Sequence, residues 1–97
     1  MDLNKLSVSL DKDKKKFLTK VNGNEAFVKY EIPQEEVLDL KHTFVPEKYR
    51  GNGIAKKIAK YALDYAADNR FAVIPTCNFV KSFLNKNSEY QNLVKED

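Results

Sequence analysis

Tyr49-Arg50-Gly51-Asn52-Gly53-Ile54-Ala55 decides the fold, because it joins a β-like segment, Leu38 to Val45, to an amphipathic helical segment through a turn that carries two glycines. Glycine has no Cβ and lets the chain expose its N–H groups. The first turn of a helix adds unsatisfied N–H donors and the positive end of its dipole. Such a junction suits an anion, and a pyrophosphate fits it. Spacing narrows the choice. The Walker pattern needs four residues between its glycines and a Gly-Lys-Ser/Thr ending. The dinucleotide fingerprint needs a third glycine, where Lys56 stands, and an acidic residue about 20 positions later. The chain satisfies neither pattern, which argues against a nucleoside triphosphatase and against a dinucleotide-binding unit.

Upstream of the turn the pattern is that of antiparallel strands. Phe17, Leu18 and Val21 lead into Asn22-Gly23, a hairpin signal, and Ala26 to Ile32 runs out again. Pro33 to Glu36 reads as a turn. Val37 to Val45 then forms the next strand, with Leu38, Leu40, His42 and Phe44 expected on one face. Leu6 to Leu10 alternates and is expected to be a further strand at the start. Downstream, the period becomes helical from Gly53 to Asn69: Lys57, Lys60, Asp64 and Asp68 mark a polar face, and Ile54, Ile58, Tyr61 and Tyr65 oppose it. Ala55, Ala59, Ala62 and Ala66 form a small-residue stripe that lets the helix lie close to a sheet. Phe71 to Ile74 is a short apolar run stopped by Pro75, as in a buried strand. Strand, glycine turn, helix and strand make a βαβ crossover with parallel neighbours. A second helix, Asn78 to Asn87, should bury Phe79, Val80, Phe83 and Leu84, with Tyr90 and Leu93 anchoring a final turn. The expected fold is α/β (α+β): a mixed central sheet, antiparallel at its N-terminal strands, followed by the crossover.

The 97 residues are expected to form one domain, residues 1–97, without repeats or linkers, so any chemistry shares one cleft. Hydrophobic residues at 42% and charged residues at 32% are ordinary for a globular chain. No apolar run approaches the ~18 residues of a membrane span, so no membrane partner and a cytoplasmic location are expected. A single cysteine, Cys77, forms no internal disulfide, and Cys77 with His42 is too few ligands for a metal site. The net charge of +3 is modest. Lys12 to Lys16 reads as a solvated turn, since it lacks interleaved aromatics, and a nucleic-acid partner is not expected. Lys48, Arg50, Lys56, Lys57 and Lys60 surround the glycine turn and suit a polyanionic ligand.

The Arg-x-x-Gly-x-Ala pattern of Arg50, Gly53 and Ala55 resembles the acyl-coenzyme A signature of the GNAT superfamily of N-acetyltransferases. With His42-Thr43-Phe44-Val45-Pro46 before it, Ile74-Pro75-Thr76-Cys77-Asn78-Phe79-Val80 after it and Glu89-Tyr90 near the end, most of the chain is similar to the short single-domain GNAT-like family. The resemblance implies a GNAT-like acyl-CoA acyltransferase fold, in which the strands either side of the glycine turn and its helix splay apart around the pantetheine arm. It implies acetyl-coenzyme A as cofactor and an amine as acceptor (a small molecule or a protein lysine) of an N-acetyltransferase; a monomer is expected. Main-chain groups of Phe44 and Val45 should bind the pantetheine arm, and Arg50, Gly51, Asn52, Gly53, Ile54, Ala55 and Lys56 the pyrophosphate. Arg50 either binds the anion or shapes the turn.

Two residues are the catalytic candidates. Cys77 follows Pro75 near a helix start, where the dipole lowers a thiol pKa, and the resemblance places it near the thioester. It is a nucleophile, a wall of the acyl pocket or a buried filler. His42, the only histidine, is of the residue type that most often acts as a general base, or it is a hydrogen-bonded structural residue. The chain also departs from the family pattern. Larger GNAT enzymes often place a tyrosine acid where Leu84 falls, and the short family tends to show His-Pro-Glu-Tyr where this chain has Asn87-Ser88-Glu89-Tyr90. These departures bear on turnover rather than on cofactor binding, so a coenzyme A or acyl-coenzyme A binding module is the alternative. Glu25, Glu31, Glu35, Glu36 and Asp39 make mid-chain acidic, either to attract a basic amine or as a solvated surface.

Overall fold

The computed structural model describes residues 2–95. Its five strands lie in sequence order, β1 (Ser9–Asp11), β2 (Lys16–Val21), β3 (Asn24–Gln34), β4 (Val37–Phe44) and β5 (Ala72–Ile74). The first four pair antiparallel and β4 pairs parallel with β5. Helix α1 (Ile54–Asp68) makes the crossover, and α2 (Asn78–Lys86) and a 3-10 turn (Ser88–Leu93) follow. The mixed α/β architecture is the one expected from the pattern, with two shifts at the ends. The first strand is Ser9–Asp11 rather than Leu6–Leu10, because Leu3–Lys5 forms a 3-10 turn capped by Asp2. The strand after α1 begins at Ala72, since Arg70 takes a positive φ of 59° and closes the helix with the N–H of Phe71 on the Ala66 carbonyl.

Asn22 and Gly23, at φ 50° and 81°, supply the two left-handed positions of the β2–β3 hairpin. In β2 and β3 alternate residues are buried: Phe17, Thr19 and Val21, then Ala26, Val28 and Tyr30. The residues between them are not buried, so only one face of these strands is covered. Helix α1 covers it with Ile54, Ile58, Ala59, Ala62, Leu63 and Ala66, and Val80, Leu84 and Tyr90 join the same cluster. The alanines keep helix and sheet close. Tyr61, expected on the buried side, is 39% exposed, and Leu63 takes the core position instead. The Tyr90 hydroxyl donates to Asp64 Oδ1 at 2.7 Å and ties the C-terminal turn to α1.

Strand β4 does not alternate as expected. Tyr30 pairs with Leu40 and Lys29 with His42, so Lys41 is an extra residue, a β-bulge. It inverts the faces expected beyond it. Leu38 and Leu40 point into the core, whereas His42 and Phe44 point to the uncovered face and Thr43, opposite buried Val28, turns inward. A second irregularity between Glu31 and Gln34 accommodates Pro33 in β3.

Candidate functional site

The pairing of β4 with β5 covers only Val37–Asp39 against Ala72–Ile74. Pro75 ends β5, and the N–H of Cys77 reaches back to the Leu40 carbonyl at 2.9 Å. Beyond that bond the edge of β4 has no strand partner among the described residues, and a cavity of about 460 Å³ opens there. His42 to Val45 wall one side, the glycine turn and first turn of α1 another, and Cys77 and Phe79 close it.

At the floor are the main-chain donors. Arg50 N–H bonds to the Glu47 carbonyl, and the α-helical ladder begins with Lys57 N–H on Gly53. Among the described residues, none of the N–H groups of Gly51 through Lys56 donates to a protein acceptor. Gly51 and Gly53 both hold φ of 84°, which only glycine adopts without strain, and Gly53 is the N-cap of α1. The result is a run of free donors at the positive end of a 15-residue helix.

Side chains brace this turn from several directions. Arg50 Nε donates to the Val45 carbonyl at 2.9 Å, so it holds the end of β4 to the turn while the residue also lines the cavity. Asn52, expected at the anion, does not line the cavity; its Nδ2 donates to the Tyr49 carbonyl at 2.9 Å and closes the loop. Asn22 at the hairpin tip donates to the Tyr49 hydroxyl at 3.1 Å. Of the basic residues expected around the turn, only Arg50 and Lys56 line the cavity. Lys57 Nζ is engaged by the Leu3 carbonyl, Lys60 by Asp64 at 2.9 Å, and Lys48 lies over the Tyr49 ring at 5.2 Å. Ile54 is 2% exposed, so its contribution at the cavity is its main chain. Val45 is likewise nearly buried, and Phe44 is open to solvent against the Phe27 ring.

Residues 16–93 match the family model of the GCN5-related N-acetyl-transferases. The chain belongs to that family. It is 36% identical over 84 residues to Protein NATD1 of Bos taurus, covering 84% of this chain and 74% of the relative. It is 34% identical over 84 residues to Protein NATD1 of Homo sapiens, with the same coverage. A solution structure of a GCN5-like putative N-acetyltransferase from Staphylococcus aureus superposes with a TM-score of 0.75 at 25% identity, covering 98% of this chain and 93% of that one. No described helix is long and apolar enough to cross a membrane.

In this GCN5-related chain both catalytic candidates line one cavity. Cys77 is the N-cap of α2, half-buried, with its Sγ 3.2 Å from the Thr43 hydroxyl. Burial alone would push its pKa up, but the Thr43 hydroxyl and the main-chain groups of Val80, Phe79 and Thr43 outweigh it, and the net shift is downward. The neutral thiol makes no cap hydrogen bond to the helix; the stronger acceptor is the thiolate. His42 is exposed on the uncovered face, with its ring 6.3 Å from that of Phe27. Tyr90 is outside the cavity, and burial together with its bond to Asp64 raises its pKa, so it is a packing residue. Thr43 and Tyr49 carry no site signal in the sequence, because the bulge that aims Thr43 has no residue-type signature. Phe79, expected in the core, is a cavity wall.

Replacing Thr43 by valine should raise the pH of half-maximal Cys77 alkylation by iodoacetamide and slow the reaction at pH 7 about three- to tenfold, while serine should preserve both. The sign for stability follows from the lowered pKa. The thiolate's stabilising contribution is full above the pKa of the unfolded thiol and is lost as pH falls through the lower folded value. Unchanged alkylation in the valine variant would assign the shift to the helix alone.

Proposed function

We propose that this protein binds acetyl-coenzyme A at the β4–β5 opening and transfers the acetyl group to an amine. The observation that carries the reading is the run of unpartnered N–H donors from Gly51 to Lys56 in a cavity that also contains Cys77. The donor set suits a diphosphate, and the two glycines at positive φ keep side chains away from it. Main-chain groups of Phe44 and Val45, beyond the β4–β5 pairing, suit an amide-bearing arm, and Arg50 and Lys56 add positive charge. When bound, the cofactor would supply a thioester whose acetyl group would pass to the amine nitrogen, with the C–S bonding pair leaving on sulfur and the amine proton passing through His42 to that thiolate.

His42 is the group to receive the amine proton, and Cys77 either accepts the acetyl group transiently or shapes the acyl end of the pocket. Intact-protein mass after exposure to acetyl-coenzyme A separates the two roles of Cys77: a covalent acetyl group lost on adding an amine supports the first. A second reading, a coenzyme A binding module with little turnover, is favoured by one observation. Leu84 is buried and the Tyr90 hydroxyl is committed to Asp64, so neither position offers a tyrosine acid to the leaving thiolate.

Calorimetry with acetyl-coenzyme A, with amide shifts followed at Phe44, Val45, Gly51 to Lys56 and Cys77, tests the shared core of both readings. Binding heat and shifts confined to those residues are expected. No heat would end both. Thiol release above background with an amine present selects the enzyme, and tight binding without release selects the module.

A further inference from the structure

The surface around the cavity discriminates between classes of acceptor amine. Among the described residues that line the cavity are Arg50, Lys56 and His42, but no aspartate or glutamate. The other wall of the opening continues onto the uncovered face of the sheet, where Phe44 is 38% exposed and its ring stands 5.5 Å from that of Phe27. Lys29 lies directly across the strands from His42. Its ammonium is 6.0 Å from the Phe27 ring centre, and that of Lys16 is 5.3 Å away.

The carboxylates that β3 and β4 carry on this face are already engaged. Glu25 is paired with Lys16, Glu31 with Lys15 at 3.1 Å, and Asp39 with Lys41 at 3.5 Å and the Thr76 hydroxyl. Glu35 and Glu36 sit at the β3–β4 turn, the opposite end of β4 from His42. Lys29 forms no ion pair among the described residues. The acidic residues of mid-chain therefore do not furnish a cation-attracting mouth. A polycationic amine approaching His42 meets Lys29 without a free carboxylate to offset the repulsion.

We infer that the acceptor is a small amine carrying its own carboxylate and an apolar body, an amino-acid-like molecule that covers Phe27 and Phe44 and anchors its carboxylate on Lys29. This rests on the acetyl transfer proposed above. The arrangement also helps the chemistry, because a neighbouring cation disfavours the ammonium form and increases the neutral, nucleophilic fraction of the amine. Lys29 is a specificity residue and is not among the residues assigned to the cofactor.

The test is an amide-shift titration of the coenzyme A-saturated protein with phenylalanine, phenethylamine and spermidine. Phenylalanine should shift Phe27, Lys29, His42 and Phe44 and bind about tenfold more tightly than phenethylamine, with spermidine weakest. Lys29→Met should erase the preference for the carboxylate and Lys29→Glu should reverse it, while calorimetry with acetyl-coenzyme A stays unchanged in both variants. Tighter binding of spermidine or phenethylamine to the wild-type protein, binding of none of the three, or a preference untouched by either substitution overturns the inference and leaves the cofactor site standing. A wild-type protein giving no heat with acetyl-coenzyme A overturns the functional reading itself, a separately recognisable result.

Discussion

Gly53→Val should weaken acetyl-coenzyme A binding by more than about tenfold and lower stability by about 2 kcal/mol. Gly53 holds φ at 84° as the residue that caps α1, and a β-branched side chain is least tolerant of that region. A Cβ there would also meet Leu3 Cδ1 at 3.2 Å, so the tip of that side chain has to shift by a few tenths of an ångström as well. Relaxing φ toward ordinary values rotates the peptides on either side of residue 53, which are among the free donors of the turn. Gly51 is the internal control: it has the same φ, but a methyl placed there would have no neighbour within 4 Å, so Gly51→Ala bears only the backbone cost. Thermal unfolding should register the valine variant as a fall in Tm at about 4–8 °C per kcal/mol. Calorimetry should register lost affinity even at temperatures where the variant is folded. Wild-type affinity in folded Gly53→Val would show that the geometry of this turn is irrelevant to the ligand.

Phe17→Ala should cost more stability still, about 3–5 kcal/mol in urea unfolding. Phe17 is fully buried in β2, with the rings of Tyr30, Tyr65 and Tyr61 at 5.2, 5.5 and 6.0 Å. Its side chain therefore joins the strand pair to α1. Removing it leaves a void bounded by a sheet and a helix that cannot readily collapse, because both are held by main-chain hydrogen bonds. Against a total of about 5–15 kcal/mol for a domain, such a loss unfolds a large share of the molecules near physiological temperature. The affinity of the folded fraction for acetyl-coenzyme A should be close to that of the wild type, since Phe17 is not a cavity residue. A loss below about 1 kcal/mol would mean the helix repacks onto the sheet with unexpected ease.

The two variants also separate what the sequence reveals from what it hides. Asn22-Gly23, Pro75 and the glycines at 51 and 53 act through local backbone requirements, so the hairpin, the end of β5 and the start of α1 can be read from residue types alone. The donor-lined end of the cavity is legible for the same reason, since glycines before a helix predict free donors. Decisions made by tertiary contacts are hidden. Nothing in Tyr61 or Leu63 by itself says which one faces the sheet, and both fit an amphipathic helix. Arg50 reads either as an anion ligand or as a brace of the turn, and only the folded chain shows its Nε on the Val45 carbonyl, a partner brought close by the turn. Arg70 occupies a left-handed position usually given to glycine, so the start of β5 at Ala72 has no local marker.

The extra residue at Lys41 makes β4 a strand with two phases, one that serves the interior and one that walls the cavity. Because side chains alternate with a period of two, Lys41 is also the place where this strand has slack. Its removal would let Leu40 and His42 follow one another opposite Tyr30 and Lys29, keeping the wet and dry sides as they are. Two residues further on there is none. Loss of Thr43 would bring Phe44 into the inward position opposite Val28 and take the hydroxyl away from the thiol. Length in the cavity-lining half of β4 is therefore constrained by parity as much as by composition, and a one-residue change is tolerable or ruinous according to which side of His42 it falls.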